Sequence, residues 1–180
     1  AGLPVKRPRV ITTDQDITSP CGTRSWNETA MYCSGNHTIY MTARYYAETE
    51  GQTEAGVFLG QFAHEFGHSI QGMTGIMDAY GDAVYEAGGN TTPKGLELSR
   101  RTELQATCFE GEVLAGLQRG GLSNEYIFAA LEDSSARGDE GSPQRDHGTT
   151  ANNKQWVERG FYQNRTGQCN TWSAAPAEVE

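Results

Sequence analysis

The residues best suited to chemistry in this chain are His64, Glu65 and His68, in the run His64-Glu65-Phe66-Gly67-His68. The run fits the HExxH pattern and lies in a segment of helical periodicity. On a helix, a spacing of four puts both imidazoles on one face, about 6 Å apart along the axis, so two ring nitrogens converge on one metal ion. Glu65 stands about 100° round from His64, beside the ion rather than aimed at it. A carboxylate so placed takes a proton from a metal-bound water and later delivers it to a leaving amine. The plainer alternative is two histidines satisfied by solvent or by the core.

A catalytic zinc wants three protein ligands and one open position. No HxxGxxH continuation follows His68, which excludes a third histidine at that spacing. Among the carboxylates Glu103 leads, in Arg100-Arg101-Thr102-Glu103-Leu104-Gln105-Ala106-Thr107-Cys108, where it opens a second helical segment. Glu97, Glu110, Asp78 and Asp82 stand behind it. A glutamate in the first turn of a helix also has the innocent use of offsetting the macrodipole. His147, in Asp146-His147-Gly148-Thr149, follows a loop. It is the candidate for steadying the oxyanion of a tetrahedral intermediate, against an ordinary surface or capping role. His37 falls in a turn and reads as a plain exposed side chain.

Helices must position these groups. From Glu54 to Gln71, residues Phe58, Leu59, Phe62, Phe66 and Ile70 fall on one stripe expected to face the core. Gly56, Gly60, Ala63 and Gly67 form a separate row of small residues that lets another backbone approach. Further helices are predicted from Ser99 to Gln118, from Ser123 to Ser134 with Tyr126, Ile127, Ala130 and Leu131 as its apolar face, and from Thr150 to Tyr162 with Trp156, Val157 and Phe161 inward. Residues 75–98 read as a loop excursion holding a short helix at Tyr80 to Ala87. A Gly-Asn turn between β-prone runs marks a hairpin from Met31 to Thr42. Its strand Thr38 to Thr42 is a candidate for holding an extended substrate as an added strand. Residues 1–20, with three of the six prolines, read as an extended N-terminal arm, and residues 21–180 as a single domain.

Composition sets limits. A chain of 180 residues buries one sizeable core. The net charge of -9 leaves no general attraction for phosphate backbones or anionic lipid, so nucleic acid and membrane surfaces are poor partners. The basic cluster Lys6-Arg7-Pro8-Arg9 reads as a solvated terminus. No apolar run approaches the roughly 20 residues that span a bilayer. Ala1 does not begin a signal-peptide pattern, so any leader is expected to have been removed. Cys21, Cys33, Cys108 and Cys169 contain no CxxC pair and read as disulfides. Three connectivities are open and loop length does not choose among them; the favoured one joins Cys21 to Cys33 and Cys108 to Cys169. An oxidising, extracytoplasmic compartment then follows.

The segments AHEFGH-SIQ, ELQATC-F-G and DHGTTANNKQWVERGFYQNRTGQC resemble the predicted neutral zinc metallopeptidase family of bacteria. AMYCSGNHTIYM is similar to that family's strand region, so the match runs from about Pro20 to Trp172. The resemblance implies a zincin-like fold, zinc held by His64, His68 and Glu103, catalysis by Glu65, and a bond between Cys108 and Cys169. Two departures stand out. Thr107 replaces the family's aspartate, the group expected to hydrogen-bond a ligand histidine and fix its tautomer. Glu110, where the family often has a small residue, falls on the same helical face as Glu103 and Thr107 and is expected to supply the missing carboxylate.

The sequence therefore predicts an α+β, helix-dominated zincin-like domain with a small antiparallel sheet, secreted or otherwise extracytoplasmic. It would bind Zn2+ and hydrolyse peptide bonds in a peptide or protein substrate through a zinc-bound water, with Glu65 as general base. One rival is a non-catalytic, zinc-stabilised binding module in which the change at Thr107 has cost the hydrolytic step. Another is a deformylase-like hydrolase with Cys108 as ligand, which a Cys108–Cys169 disulfide eliminates.

Overall fold

Along the run Thr38–Thr42 the side chains alternate between two apolar faces. Ile39 and Met41 pack with Ala30 and Tyr46, while Tyr40 packs with Ile17 and Cys33. In the computed structural model, which describes residues 6–180, every residue of this run is buried. Residues 1–5 of the predicted arm lie outside the described residues.

The run is the central strand of a three-stranded sheet. Strands β1 (Arg9–Thr13), β2 (Ile17–Ser19), β3 (Gly22–Arg24), β4 (Met31–Cys33) and β5 (Thr38–Thr42) arise in that order. β4 and β5 form the predicted hairpin, antiparallel with Met31 opposite Tyr40, and β1 adds in parallel on the far side of β5 with Arg9 opposite Thr38. β2 and β3 make a separate antiparallel pair. Part of the predicted arm is thus a sheet strand. Both sides of β5 are occupied, so it cannot accept a substrate as an added strand; the edges of the sheet are β1 and β4. His37 is not a plain exposed side chain either. It turns the hairpin at φ 52°, and its ring nitrogens bond the Tyr32 hydroxyl and the Lys6 carbonyl, each at 2.8 Å.

Among the described residues the α-helices are α1 (Ala55–Met73), α2 (Ile76–Glu86), α3 (Pro93–Arg119), α4 (Asn124–Ser135) and α5 (Thr150–Gln163). The segment read as a loop excursion is mostly helical, because α2 fills it and α3 begins six residues before Ser99. The start of α3 has a local cause: Thr92 accepts a hydrogen bond from the Gly95 amide, and Pro93 supplies a preset φ at the first helical position. Ser123 and Thr149 cap α4 and α5 in the same way.

Helix α1 is sandwiched. Its stripe of Phe58, Phe62 and Phe66 is only partly buried and packs on the sheet cluster of Ile39, Met41 and Tyr46. The deeply buried face is instead the small-residue row, which meets α3 and α4. Packing the thin face of α1 against backbone lets the helices close to short range, and Ala63 joins Leu114, Ile127, Ala130 and Phe161 in the main core. Trp156 and Val157 of α5 are inward as predicted, whereas Tyr126 of α4 is 41% exposed. The disulfides join Cys21 to Cys33 and Cys108 to Cys169, the second tying the C-terminal segment to α3. Buried Arg101 holds the same segment through the carbonyls of Thr171 and Ala174. Among the described residues no helix is long and apolar enough to cross a membrane.

Candidate metal centre

Where α1 crosses α3, a Cβ at Gly67 would lie 2.7 Å from the carbonyl oxygen of Ala106. That close approach sets His68, the next residue, opposite Glu103, one turn before Ala106. Glu103 is the eleventh residue of α3 rather than a first-turn residue, so the macrodipole explanation for it falls away. Its Oε2 stands 3.3 Å from His64 Nε2 and 3.1 Å from His68 Nε2. The two imidazoles meet edge to face, with centroids 4.8 Å apart.

Two ligand atoms each ~2.0 Å from a tetrahedral zinc are separated by ~3.3 Å. One nitrogen from each ring and one carboxylate oxygen of Glu103 lie within 4.8 Å of one another, so three residues from two helices fit one small cation. Two nitrogens and an oxygen are also the donor set of zinc-hydrolase sites. Of the rival carboxylates, Glu97 is paired with Lys94 and Arg101, Asp78 and Asp82 lie on α2, which buries no residue, and Glu110 faces the far nitrogen of His64 instead of joining the cluster. Cys108 is in a disulfide, which removes it as a ligand.

The electrostatics of these side chains follow from this crowding. Burial works against charge on His64, but hydrogen bonds to Glu103 and Glu110 and the charges of Glu103 and Glu65 outweigh it and raise its pKa to about 10. His68 is raised by the same balance against Glu103. Burial opposes ionisation of Glu103, yet the two imidazoles hold it well below the usual carboxylate range. Burial pushes Glu110 upward.

Each ring also has a partner on its far side. His68 Nδ1 meets Gln71 Oε1 at 2.8 Å. His64 Nδ1 lies 3.5 Å from the Thr107 hydroxyl and 3.7 Å from Glu110 Oε2. The Thr107 hydroxyl donates to Asn153, and Glu110 Oε2 accepts from Ser134. Glu110 Oε1 is buried without a partner among the described residues.

Two cavities, of about 430 and 390 Å³, border the centre. His64, Glu65, Glu103 and His147 line both, and the second also borders Ala30, Met31 and Tyr32 at the edge strand β4. His147 is half exposed and turns Nε2 to within 3.7 Å of Glu103 Oε2. Its Nδ1 is 2.8 Å from Asp146, and its backbone amide donates to Asp139 at 2.7 Å. The structure thus brings His64, Glu65, His68, Glu103, Thr107, Glu110 and His147 around one point and leaves Glu97, Asp78, Asp82 and His37 away from it. Gln71 and Asp146 escaped sequence reasoning as partners of the site. Both had a signal: Gln71 follows His68 by three, one helical turn along the same face, and Asp146 is adjacent to His147.

The family model described as "Putative neutral zinc metallopeptidase" matches residues 4–172. The uncharacterized protein YpfJ of Escherichia coli K12 is 28% identical over 95% of this chain and 63% of its own length. The uncharacterized protein Rv2575 of Mycobacterium tuberculosis is 25% identical over 94% of this chain and 64% of its own. The chain therefore spans just under two thirds of the relatives it matches. No solved structure matches it. With a family match over nearly the whole chain and a two-histidine, one-glutamate cluster at its centre, this chain belongs to the neutral zinc metallopeptidase family.

Proposed function

We propose that this chain is a zincin-like peptidase that hydrolyses peptide bonds at a zinc ion held by His64, His68 and Glu103. The observation that carries the reading is the convergence of those three side chains, with Glu65 7% exposed on the wall of both cavities. Zinc, when bound, would acidify a water and polarise the scissile carbonyl. Glu65 takes the proton of the attacking water as its oxygen bonds to the carbonyl carbon, then returns it to the amide nitrogen as the C–N bond breaks. His147, whose Nδ1 lies 2.8 Å from Asp146, would donate from Nε2 to the oxyanion. The paired cavities suit an extended chain crossing the centre, and β4 is the sheet edge beside that path. Glu110 supports His64 in place of the missing aspartate. The two disulfides are compatible with the extracytoplasmic setting we propose for it.

A second reading, a zinc-stabilised binding module, draws on the long contacts of His64 to Thr107 and Glu110. The deciding experiment loads the chain with zinc and offers an unstructured protein such as denatured casein. The peptidase reading expects cleavage that a chelator stops and added zinc restores. Stoichiometric zinc without cleavage would favour the binding module.

A further inference from the structure

Gln71 is fully buried on α1, and the catalytic scheme makes no use of it. Its amide nitrogen donates to the Thr102 carbonyl at 2.8 Å and to Gln105 Oε1 at 3.0 Å, while its Oε1 faces His68 Nδ1 at 2.8 Å. Gln105 is itself placed: its nitrogen donates to the Cys169 carbonyl at 3.0 Å, and its oxygen also accepts from the Trp172 indole at 3.3 Å.

The polarity of this chain is fixed at every end. A backbone carbonyl only accepts and an indole N–H only donates. The Cys169 carbonyl therefore takes the Gln105 nitrogen, leaving Gln105 Oε1 toward Trp172 and Gln71. The Thr102 carbonyl independently takes the Gln71 nitrogen. Neither amide can turn over without setting oxygen against oxygen in a buried place, where a lost partner is costly. The group left facing His68 is thus an oxygen, and an oxygen without hydrogen can only accept. His68 must carry a hydrogen on Nδ1, so Nε2, 3.1 Å from Glu103 Oε2, is the nitrogen left to bind a metal.

We propose that Gln71 is the positioning residue for the metal ligand His68, holding it in the Nδ1–H form with Nε2 free for zinc, and that Gln105, fastened to the segment carrying the Cys108–Cys169 disulfide, fixes the sense of Gln71. The two histidines are then supported by different chemistry: a buried neutral amide relay behind His68, and a hydroxyl with a buried carboxylate behind His64. This inference rests on the metal reading above.

The test is zinc affinity, measured by competition with a chromogenic chelator on the full chain, for wild type, Gln71→Leu and Gln71→Glu, with thermal melts of each in excess chelator. Gln71→Leu removes the acceptor and should bind zinc about 10–100-fold more weakly than wild type. Gln71→Glu restores an acceptor toward Nδ1 and should recover most of that loss, although it loses stability in the metal-free melt; a merely structural role would show no such recovery. Should Gln71→Leu not fold, ring-nitrogen NMR of the zinc-loaded wild type decides, with a proton on His68 Nδ1 and metal on Nε2 as the expected result. Wild-type affinity in a folded Gln71→Leu, or metal on Nδ1, overturns the proposal while the zinc site stands. A wild-type chain that takes up no zinc overturns both.

Discussion

The Cα of Gly67 faces the carbonyl of Ala106 so closely that an added methyl group would sit 2.7 Å from its oxygen. Gly67 lies inside the HExxH run, yet its demand is set by packing, not by chemistry. The contact fixes the spacing of α1 and α3, and that spacing is what lets Glu103 reach both imidazoles.

Gly67→Ala should therefore act on the metal centre from outside it. Forcing backbone away from backbone costs about 1–3 kcal/mol by overpacking, even though alanine is the better helix former by about 1 kcal/mol. Thermal melts of the metal-free chain should show a net loss, and zinc affinity should fall with it as Glu103 draws away from His68. Gain of stability with unchanged zinc affinity would show that the crossing has slack.

Glu65 and Glu103 should separate cleanly. Glu65→Gln leaves the three proposed ligands intact, so bound zinc by elemental analysis should stay near one per chain while peptide hydrolysis falls about 10²–10⁴-fold. Glu103→Gln should lose zinc and activity together. If Glu65→Gln kept wild-type turnover, the proton route proposed here would be wrong.

Glu110 faces His64 and Ser134 but leaves one buried carboxylate oxygen without a partner among the described residues. If it supports His64, Glu110→Gln should weaken zinc about 10–100-fold. Asp substituted at Thr107 in the same chain should recover that loss. Equal zinc affinity in Glu110→Gln and wild type would leave Glu110 as a packing residue only.

Much of this was legible because helices repeat simply. The spacing of His64 and His68 fixed one face of α1, and the row Gly56, Gly60, Ala63, Gly67 announced a close neighbour. The start of α3 was not legible from the acidic, glycine-rich stretch before it, because Thr92 and Pro93 act as start signals only once the chain after them is known to be helical. The placing of Thr38–Thr42 between two partners was hidden as well. A hairpin signal is local, whereas the parallel pairing with Arg9–Thr13 is a contact across 29 residues that no local pattern encodes. The relay behind His68 likewise joins Gln71, Gln105 and Cys169, residues that only the folded chain brings together.

Zinc and protons should compete for the same nitrogens. In the metal-free chain His64, raised to about 10, holds its proton through the neutral range, and His68 holds its own to a higher pH than a free imidazole. Glu103, held low, is already ionised and has none to give. Zinc requires both rings neutral, each with one nitrogen free of its proton, so binding near neutrality should expel about one to two protons. Apparent affinity should then climb about 10- to 100-fold per pH unit at first and flatten above about 10. The metal-free fold responds with the opposite sign. A raised histidine adds stability that is complete below its unfolded value of about 6.5 and is lost as pH climbs through its folded one, whereas the lowered Glu103 adds stability that is lost only as acid protonates it. Going from pH 9 to pH 7 should therefore weaken zinc binding while raising the melting temperature in chelator. Calorimetric titration with zinc in buffers of different ionisation enthalpy counts the protons directly, and a count of zero would mean that the ion does not displace the protons of His64 and His68.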